Sequence, residues 1–581
     1  MATHEGKSAS MIVLGVHDGH NSSAALLADG RPIAAVQEER LSGVKNEARV
    51  PHLAIAEVLR LAGVTWRDVN VVALHSHHMP YARSREDLYE HYRKVGRLSG
   101  RLRGVLRRTP VNYLFRQRRR SQRFAELEEK GVPLDKIQVV DHHTAHAAAA
   151  YFGSPWREDP ALVLTCDGAG DDLCATVGIG SGLTLDRHVA VGEAESLGNV
   201  YALVTFLLGM VPNEHEYKLM GMAPYAPEDG AARSRRVFDR IIRFVHDGLP
   251  AWRRQKGVPP TYYSLEWLKR HLDFHRFDWI CGGLQSWIED ALVEWVRRSI
   301  KTTGLRRLAL GGGVFMNVKA NQRILEMAEV ESLFVFPSCG DESNSVGAAY
   351  WVTAREFARQ GRPAASIPPL RDVYWGADIS DGDVERAVAN LQGQYRIERH
   401  SDIEGVVAAL LAEGHVVARC KGRMEFGARA LGNRSILADP ARTDVIRTIN
   451  DMIKNRDFWM PFASSMLAER QHEYIHNPKK IPSPYMILAF SSTDRIDQFR
   501  AGAHPHDLTV RPQTVDRDWN PDYHRLISLF ASRTGKGIIL NTSLNLHGYP
   551  MVNGAKEALH VFETSGLQTI ALGSFLISKQ A

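Results

Sequence analysis

Two histidines four positions apart, His142 and His146, sit in the stretch Val139-Val140-Asp141-His142-His143-Thr144-Ala145-His146. An apolar run leads into it, and four alanines at 147–150 continue it in a helix-permitting pattern. On a helix the two imidazoles share one face, one turn apart, which suits closure on a single metal ion. The alternative is a histidine-rich helix start with no ligand role. His143, between them, is expected to point away and to tolerate substitution better. Downstream, residues 162–165 read as a strand that runs through Cys166 to Asp167-Gly168, a turn that would aim Asp167 into a site. A second chemical stretch is Lys421-Gly422-Arg423-Met424-Glu425-Phe426-Gly427-Ala428-Arg429-Ala430-Leu431-Gly432-Asn433-Arg434-Ser435. Three arginines among glycines and apolar residues fit bidentate recognition of a phosphate or carboxylate. Lys454, Arg456 and Arg511 add cations, and Asn541-Thr542-Ser543 follows a strand at 537–540 and would present amides and a hydroxyl.

The elements that must position these groups alternate. Strands are expected at 10–15, 24–27 and 32–36, the first pair joined by the polar turn Val16-His17-Asp18-Gly19-His20-Asn21-Ser22-Ser23, whose backbone N–H groups could meet an anion. A helix at 51–62, strands at 71–74 and 137–140, and a hairpin pairing 162–165 with 175–180 follow. An amphipathic helix over 284–300 packs a Leu, Trp, Ile and Val stripe into the core. A strand at 308–310 runs into Gly311-Gly312-Gly313 and then a helix at 314–320, which lets a ligand approach the backbone. A further strand at 334–336 and a helix at 343–358 follow. Residues 360–370 carry three prolines and mark the domain boundary.

At 581 residues the chain exceeds what one core supports, so at least two domains are expected. A 44% hydrophobic fraction with 24% charged residues is that of an ordinary soluble globular protein, and no apolar run approaches a membrane span. Residues 1–10 are polar, which points to a cytoplasmic protein. Five scattered cysteines argue for reduced thiols and against a zinc-thiolate site. The net charge of +6 is concentrated between Arg83 and Arg123, notably Arg101, Arg103, Arg107, Arg108 and 116–120. A nucleic-acid or anion surface is one reading; arginines facing water on a helical insertion are the favoured one, since aromatic residues for base stacking are few.

The repeated unit of strand, polar or glycine loop, then helix or hairpin resembles the duplicated actin-like ATPase architecture. Almost end to end, from Gly15 to Ile577, the chain resembles the O-carbamoyltransferase family of nodulation-factor, cephalosporin and aminoglycoside enzymes. The motifs are Gly19-His20-Asn21-Ser22-Ser23-Ala24-Ala25, Glu38-Glu39-Arg40, His142-His143-Thr144-Ala145-His146-Ala147-Ala148, Asp167-Gly168, Lys218-Leu219-Met220-Gly221, Gly312-Gly313-Val314, the Glu425-to-Ser435 block, Arg511-Pro512-Gln513-Thr514-Val515 and Asn541-Thr542-Ser543.

The resemblance implies an α/β chain of two domains. Residues 1–366 would form a duplicated actin-like domain similar to tRNA threonylcarbamoyl-transferring enzymes, with an insertion at about 80–130, and 367–581 a YrdC-like adenylate-forming domain. It also implies ATP, carbamoyl phosphate, Mg for ATP and an iron-like divalent or trivalent metal. Carbamoyl adenylate made in the C-terminal domain would pass to the N-terminal domain and carbamoylate a hydroxyl of an antibiotic-like secondary metabolite. Arg429, Lys454, Arg511, Asn541 and Ser543 match positions holding carbamoyl phosphate and nucleotide. His142, His146 and Asp341 match metal ligands, with Asp167 beside the metal or its waters. Asp167, Gly168, Gly221, Gly312, Gly313 and Asn317 match the nucleotide pocket, His20 the base and Lys45 a lysine near the transferred group. Such a protein needs no membrane or nucleic-acid partner and is compatible with a homodimer.

The chain departs from the family pattern at Asn21, where Asp is usual, at Met460, where Arg is usual, at Ala428 for Pro and at Leu544 for Phe. Met460 removes an arginine from the carbamoyl phosphate neighbourhood. The competing readings are an RNA-modifying carbamoyl or threonylcarbamoyl transferase, an actin-like-fold sugar kinase, and a non-catalytic metal and nucleotide sensor.

Overall fold

The structure, a computed structural model, describes residues 10–580 apart from 81–83, 96–109, 246–248, 390, 392 and 394. Arg83, Arg101, Arg103, Arg107 and Arg108 therefore lie outside the described residues.

The N-terminal half is built twice on one plan. Strands β1 (Ile12–His17), β2 (Ser23–Ala28) and β3 (Arg31–Gln37) form an antiparallel meander, and β4 (Val71–His75) and β5 (Ile137–Val140) add in parallel beside β1. The second sheet repeats the pattern. Strands β6 (Ala161–Gly170), β7 (Leu173–Ser181) and β8 (Thr184–Gly192) form the meander, and Arg307–Gly311 and Ser332–Val335 add in parallel beside β6. These strands read as near-continuous apolar runs because helices cover them. Between the sheets the helix His142–Gly153 packs on Ser343–Arg359; a side chain at Gly347 would meet the Ala145 carbonyl at 1.9 Å, so only glycine permits the contact. Paired sheets with this connectivity are the duplicated actin-like architecture.

The C-terminal half is a mixed α/β unit on an eight-stranded sheet. Strands Val417–Cys420, Arg434–Ala438 and Ile538–Ser543 lie at its centre. Apolar residues of the N-terminal half share one core with Phe426, Leu431, Met466, Tyr485 and Ile487. Polar contacts across the halves include Arg40 to the Gly427 carbonyl at 2.6 Å and Lys479 to the carbonyls of Leu325, Met327 and Val330 at 2.6 Å each.

Two local expectations are corrected. The first strand runs through His17, so the polar turn starts later than Val16. The expected helix at 314–320 is a tight turn, Gly313–Met316, followed by the helix Val318–Glu326, whose first turn Asn317 caps by accepting from the Ala320 amide at 3.0 Å. No helix among the described residues is long and apolar enough to cross a membrane.

Candidate functional site

The carboxyl ends of the parallel strands of both sheets meet in one crevice, where an open α/β fold leaves room for ligands. His17 ends β1, His75 ends β4, and His142 stands two residues beyond β5. From the second sheet come Asp167 on β6, Gly312 and Gly313 after Arg307–Gly311, and Asp341 after Ser332–Val335.

His142, His146, Asp167 and Asp341 converge there with one donor atom each, all within 4.8 Å of one another. Asp167 Oδ2 lies 3.0 Å from His142 Nε2 and 3.2 Å from His146 Nε2. Asp341 Oδ1 lies 3.3 Å from His146 Nε2 and 3.7 Å from His142 Nε2. The other oxygen of Asp167 accepts from the Gly168 amide at 2.7 Å and the Gly313 amide at 3.3 Å, which holds the carboxylate in place. Space for the His142 ring comes from Gly170, where a side chain would lie 2.0 Å from the ring.

Charge complementarity dominates this cluster. Burial disfavours a proton on His146, but the hydrogen bonds and charges of Asp167 and Asp341 outweigh it and push its pKa up to about 9. His142 is raised in the same way against its burial, chiefly by Asp341. Asp167 is half-buried, and against the cost of that desolvation the two imidazoles hold its carboxyl well below the usual range. Two imidazoles and two carboxylates are a donor set for a first-row transition metal, and two histidines with one carboxylate and open positions suit non-haem iron.

His143 points away, as its position between the ligands suggests, but not to water. It is fully buried against Thr165, with Nδ1 2.8 Å from Oγ1, and burial lowers its pKa to about 3. Tolerance to substitution is therefore not expected there.

His20, on the turn after β1, donates from Nε2 to the Asn213 carbonyl at 3.1 Å, which leaves Nδ1 as the ring's acceptor. Lys45 pairs with Glu214 at 2.9 Å. Adjacent residues of one loop thus hold both groups, which sequence reasoning passed over. Asn21 stands in left-handed backbone with φ 58° and accepts from Gln37 at 2.8 Å.

A cavity of about 2170 Å³ runs from this cluster, lined by His20, Lys45, Gly168, Gly313, Asn317 and Arg429 among others. Its far wall is the insertion, where His91 and Tyr92 pack on Tyr262 at ring separations of 5.0 and 6.1 Å. Gly312, with φ +98°, shapes the loop from behind, and the Asn317 amide is engaged by Gln285 as well as by the helix cap. Gly221 faces Trp459 and Met460 across the halves, and its carbonyl accepts from His504 at 2.8 Å.

The arginine-rich block resolves into structural cations and Arg429, whose Nε has no partner among the described residues. Glu425 Oε1 accepts from the amides of Leu431, Asn433 and Arg434 at 2.8, 2.8 and 3.1 Å and folds the loop around itself. Arg423 and Arg434 donate to backbone carbonyls, so they are not the anion-binding forks their spacing suggested. Arg429 keeps its Nε buried without a partner and points into the cavity.

Behind it lie Lys454, Arg456 and Arg511. Burial depresses all three, and the neighbouring cations depress them further. Lys454 donates to Ser543 Oγ at 3.2 Å and Asn545 Oδ1 at 2.7 Å, both neutral groups. Asn541 donates to the Ala430 carbonyl at 3.1 Å and leaves a buried Oδ1 without a donor. Four cations thus gather beside an unpaired amide oxygen, a set of groups chemically complementary to an anion that also carries N–H groups.

The basic insertion is tied inward. Arg116 binds Asp172 at 2.8 and 2.5 Å, Arg119 donates to the Pro80 carbonyl at 2.5 Å, and Arg123 is 1% exposed. The expectation that these arginines simply face water fails for all three, because each is held by an acceptor within the chain: exposed Asp172 for Arg116, the half-buried Pro80 carbonyl for Arg119 and buried Asp18 for Arg123.

A duplicated actin-like crevice carrying this cluster, joined to an α/β half with a group of clustered cations, defines a group-transfer enzyme. The chain belongs to the carbamoyltransferase family: the carbamoyltransferase N-terminus family model matches residues 12–350 and the C-terminus model residues 408–579. It is 31% identical to nodulation protein NolNO of Sinorhizobium fredii over 97% of this chain and 79% of that protein. Nodulation protein NolO of Bradyrhizobium diazoefficiens is 33% identical over 76% of this chain and 79% of that one. The 3'-hydroxymethylcephem-O-carbamoyltransferase of Amycolatopsis lactamdurans is 31% identical over 46% of this chain and 48% of its own length.

Proposed function

We propose that this chain is an ATP-dependent O-carbamoyltransferase that activates carbamoyl phosphate in residues 367–581 and transfers the carbamoyl group to a small-molecule hydroxyl in residues 1–366. The observation that carries the reading is that one cavity is lined both by Arg429 and by His142, Asp167 and Asp341 of the four-residue cluster. Mass balance gives the first half-reaction as carbamoyl phosphate, ATP and water to carbamoyl adenylate, phosphate and pyrophosphate. Arg429, Lys454 and Arg511 would hold the phosphoryl charges, Ser543 would add a hydroxyl, and the unpaired Asn541 Oδ1 would accept from the carbamoyl amide.

In the second half-reaction the adenylate lies along Gly168, Gly312, Gly313 and Asn317, with Gly221 at the passage between the halves. The acceptor hydroxyl gives its proton to His20 Nδ1 as its oxygen bonds to the carbamoyl carbon, and AMP leaves. Lys45, held by Glu214, stands where it can steady charge developing on the carbamoyl oxygen. His142, His146, Asp341 and Asp167 would hold an iron-like ion, which when bound neutralises phosphate charge.

The acceptor enters past the aromatic wall at Tyr92 and Tyr262. A secondary-metabolite acceptor fits this reading better than RNA, since Arg116, Arg119 and Arg123 are engaged within the chain and only part of the described basic run, including Arg118 and Arg120, stays exposed. The test is pyrophosphate release from ATP with and without carbamoyl phosphate. Release that requires carbamoyl phosphate is expected; equal ATP consumption without it overturns the reading.

A further inference from the structure

Three histidines that no family motif accounts for as a set form a row. His17 Nε2 lies 2.9 Å from the His20 carbonyl, His17 Nδ1 lies 2.9 Å from His75 Nδ1, and His75 Nε2 lies 2.8 Å from His142 Nδ1. The spacing has a simple origin. β1, β4 and β5 are adjacent in the sheet, and His17, His75 and His142 extend from their carboxyl ends. Ring centroids are 4.6 and 4.9 Å apart, close to the separation of neighbouring strands, and the rings are tilted at 67° and 57°. His17 and His75 are 1% and 3% exposed. A side chain at Gly19 would come within 2.6 Å of the His17 ring, as one at Gly170 would strike His142, so bare glycines admit both ends of the row.

We infer that His17 and His75 are positioning residues that keep a hydrogen on His142 Nδ1 and so leave its Nε2 to ligate a metal shared with Asp167 and Asp341. A carbonyl oxygen only accepts, so His17 Nε2 carries the hydrogen. In a neutral ring His17 Nδ1 is then bare, and His75 Nδ1 must donate to it. His75 Nε2 is bare in turn and accepts from His142 Nδ1–H. One nitrogen of His142 remains, Nε2, which would give its lone pair to a metal held with the two carboxylates and, without the metal, carries a hydrogen donated to Asp167 at 3.0 Å. With all three rings neutral, no other proton placement satisfies the three bonds together. A ligating histidine held through its second nitrogen in this way binds metal more tightly and in one orientation.

This inference rests on the four-residue metal reading above, and the test separates the two. The full chain is titrated with Co²⁺, whose visible absorption reports the ligand set, for wild type, His75→Phe, His75→Gln, His17→Phe and His142→Ala. His75→Phe leaves His142 Nδ1–H without an acceptor and is expected to weaken Co²⁺ binding about 10–100-fold and to shift the absorption. His75→Gln, whose side-chain oxygen can accept that hydrogen, is expected to restore most of the affinity, and His17→Phe to fall between. Wild-type affinity and spectrum in His75→Phe would overturn the inference, as would a His75→Gln variant no better than His75→Phe. If His75→Phe fails to fold, ¹⁵N-histidine NMR of the metal-free wild type decides: protonated Nδ1 on both His75 and His142 supports the row, and a bare Nδ1 on either refutes it. Equal Co²⁺ binding by wild type and His142→Ala would instead defeat the metal reading, and the NMR measurement would still judge the row.

Discussion

Arg123 and Asp18 form a bidentate ion pair with both side chains buried, Nε to Oδ2 at 2.7 Å and Nη2 to Oδ1 at 2.6 Å. Arg123 also donates to the carbonyls of Ser76 and His75 at 2.7 and 2.5 Å. One residue of the insertion therefore fastens the ends of β1 and β4, which carry His17 and His75. Arg123→Met removes the bidentate partner of the buried Asp18 charge and is expected to cost about 3–5 kcal/mol in urea unfolding. The double variant Arg123→Met with Asp18→Leu should regain much of that loss. A single variant within about 1 kcal/mol of wild type would show that the pair does not anchor the insertion.

Glu216, in the first turn of the helix Glu216–Met222, sets a pH dependence. Burial raises its pKa to about 7, and nearby Glu214 adds to the rise against the hydrogen bond from the Asn213 amide at 2.7 Å. A folded pKa above the unfolded value means the folded state holds the proton more tightly. That contribution is present below about 4.5 and is lost as pH rises through about 7. Glu216→Gln keeps the acceptor and should remove this dependence, gaining about 2 kcal/mol over wild type at pH 8 but not at pH 4. Parallel stability profiles for the two proteins would contradict the assignment.

Arg511 faces Arg429 and Arg456 with no carboxylate as partner among the described residues. Groups arranged for an absent anion strain the free protein. Arg511→Met should stabilise the ligand-free chain by about 0.5–2 kcal/mol and abolish the thermal shift caused by carbamoyl phosphate. In wild type that shift should correspond to about 2.7 kcal/mol at one hundred times the dissociation constant. A variant that is destabilised and still shifted would place the anion elsewhere.

Strand-and-loop alternation made the duplicated architecture readable before any coordinates, because the strands are continuous apolar runs and each ends in a polar or glycine turn. The histidine pair was readable from its four-residue spacing on one helix. The His17–His75–His142 row was not, since the three residues are far apart in sequence and meet only through the order β1-β4-β5. The arginine block misled for a related reason: spacing cannot show that Glu425 gathers the loop amides and leaves Arg429 alone facing the cavity. Asn317 lines the cavity as its place in the motif suggests, but the pairing of its amide with Gln285 and a helix cap was not readable from the sequence.

The division of labour between the halves is the central claim, and one assay tests it: carbamoyl phosphate-dependent pyrophosphate release by wild type, Arg429→Ala and His20→Ala. The account predicts that Arg429→Ala loses the release, by at least about 100-fold for a lost charge-assisted contact, while His20→Ala retains it and fails only to carbamoylate an acceptor. Release that survives in Arg429→Ala and disappears in His20→Ala would contradict it.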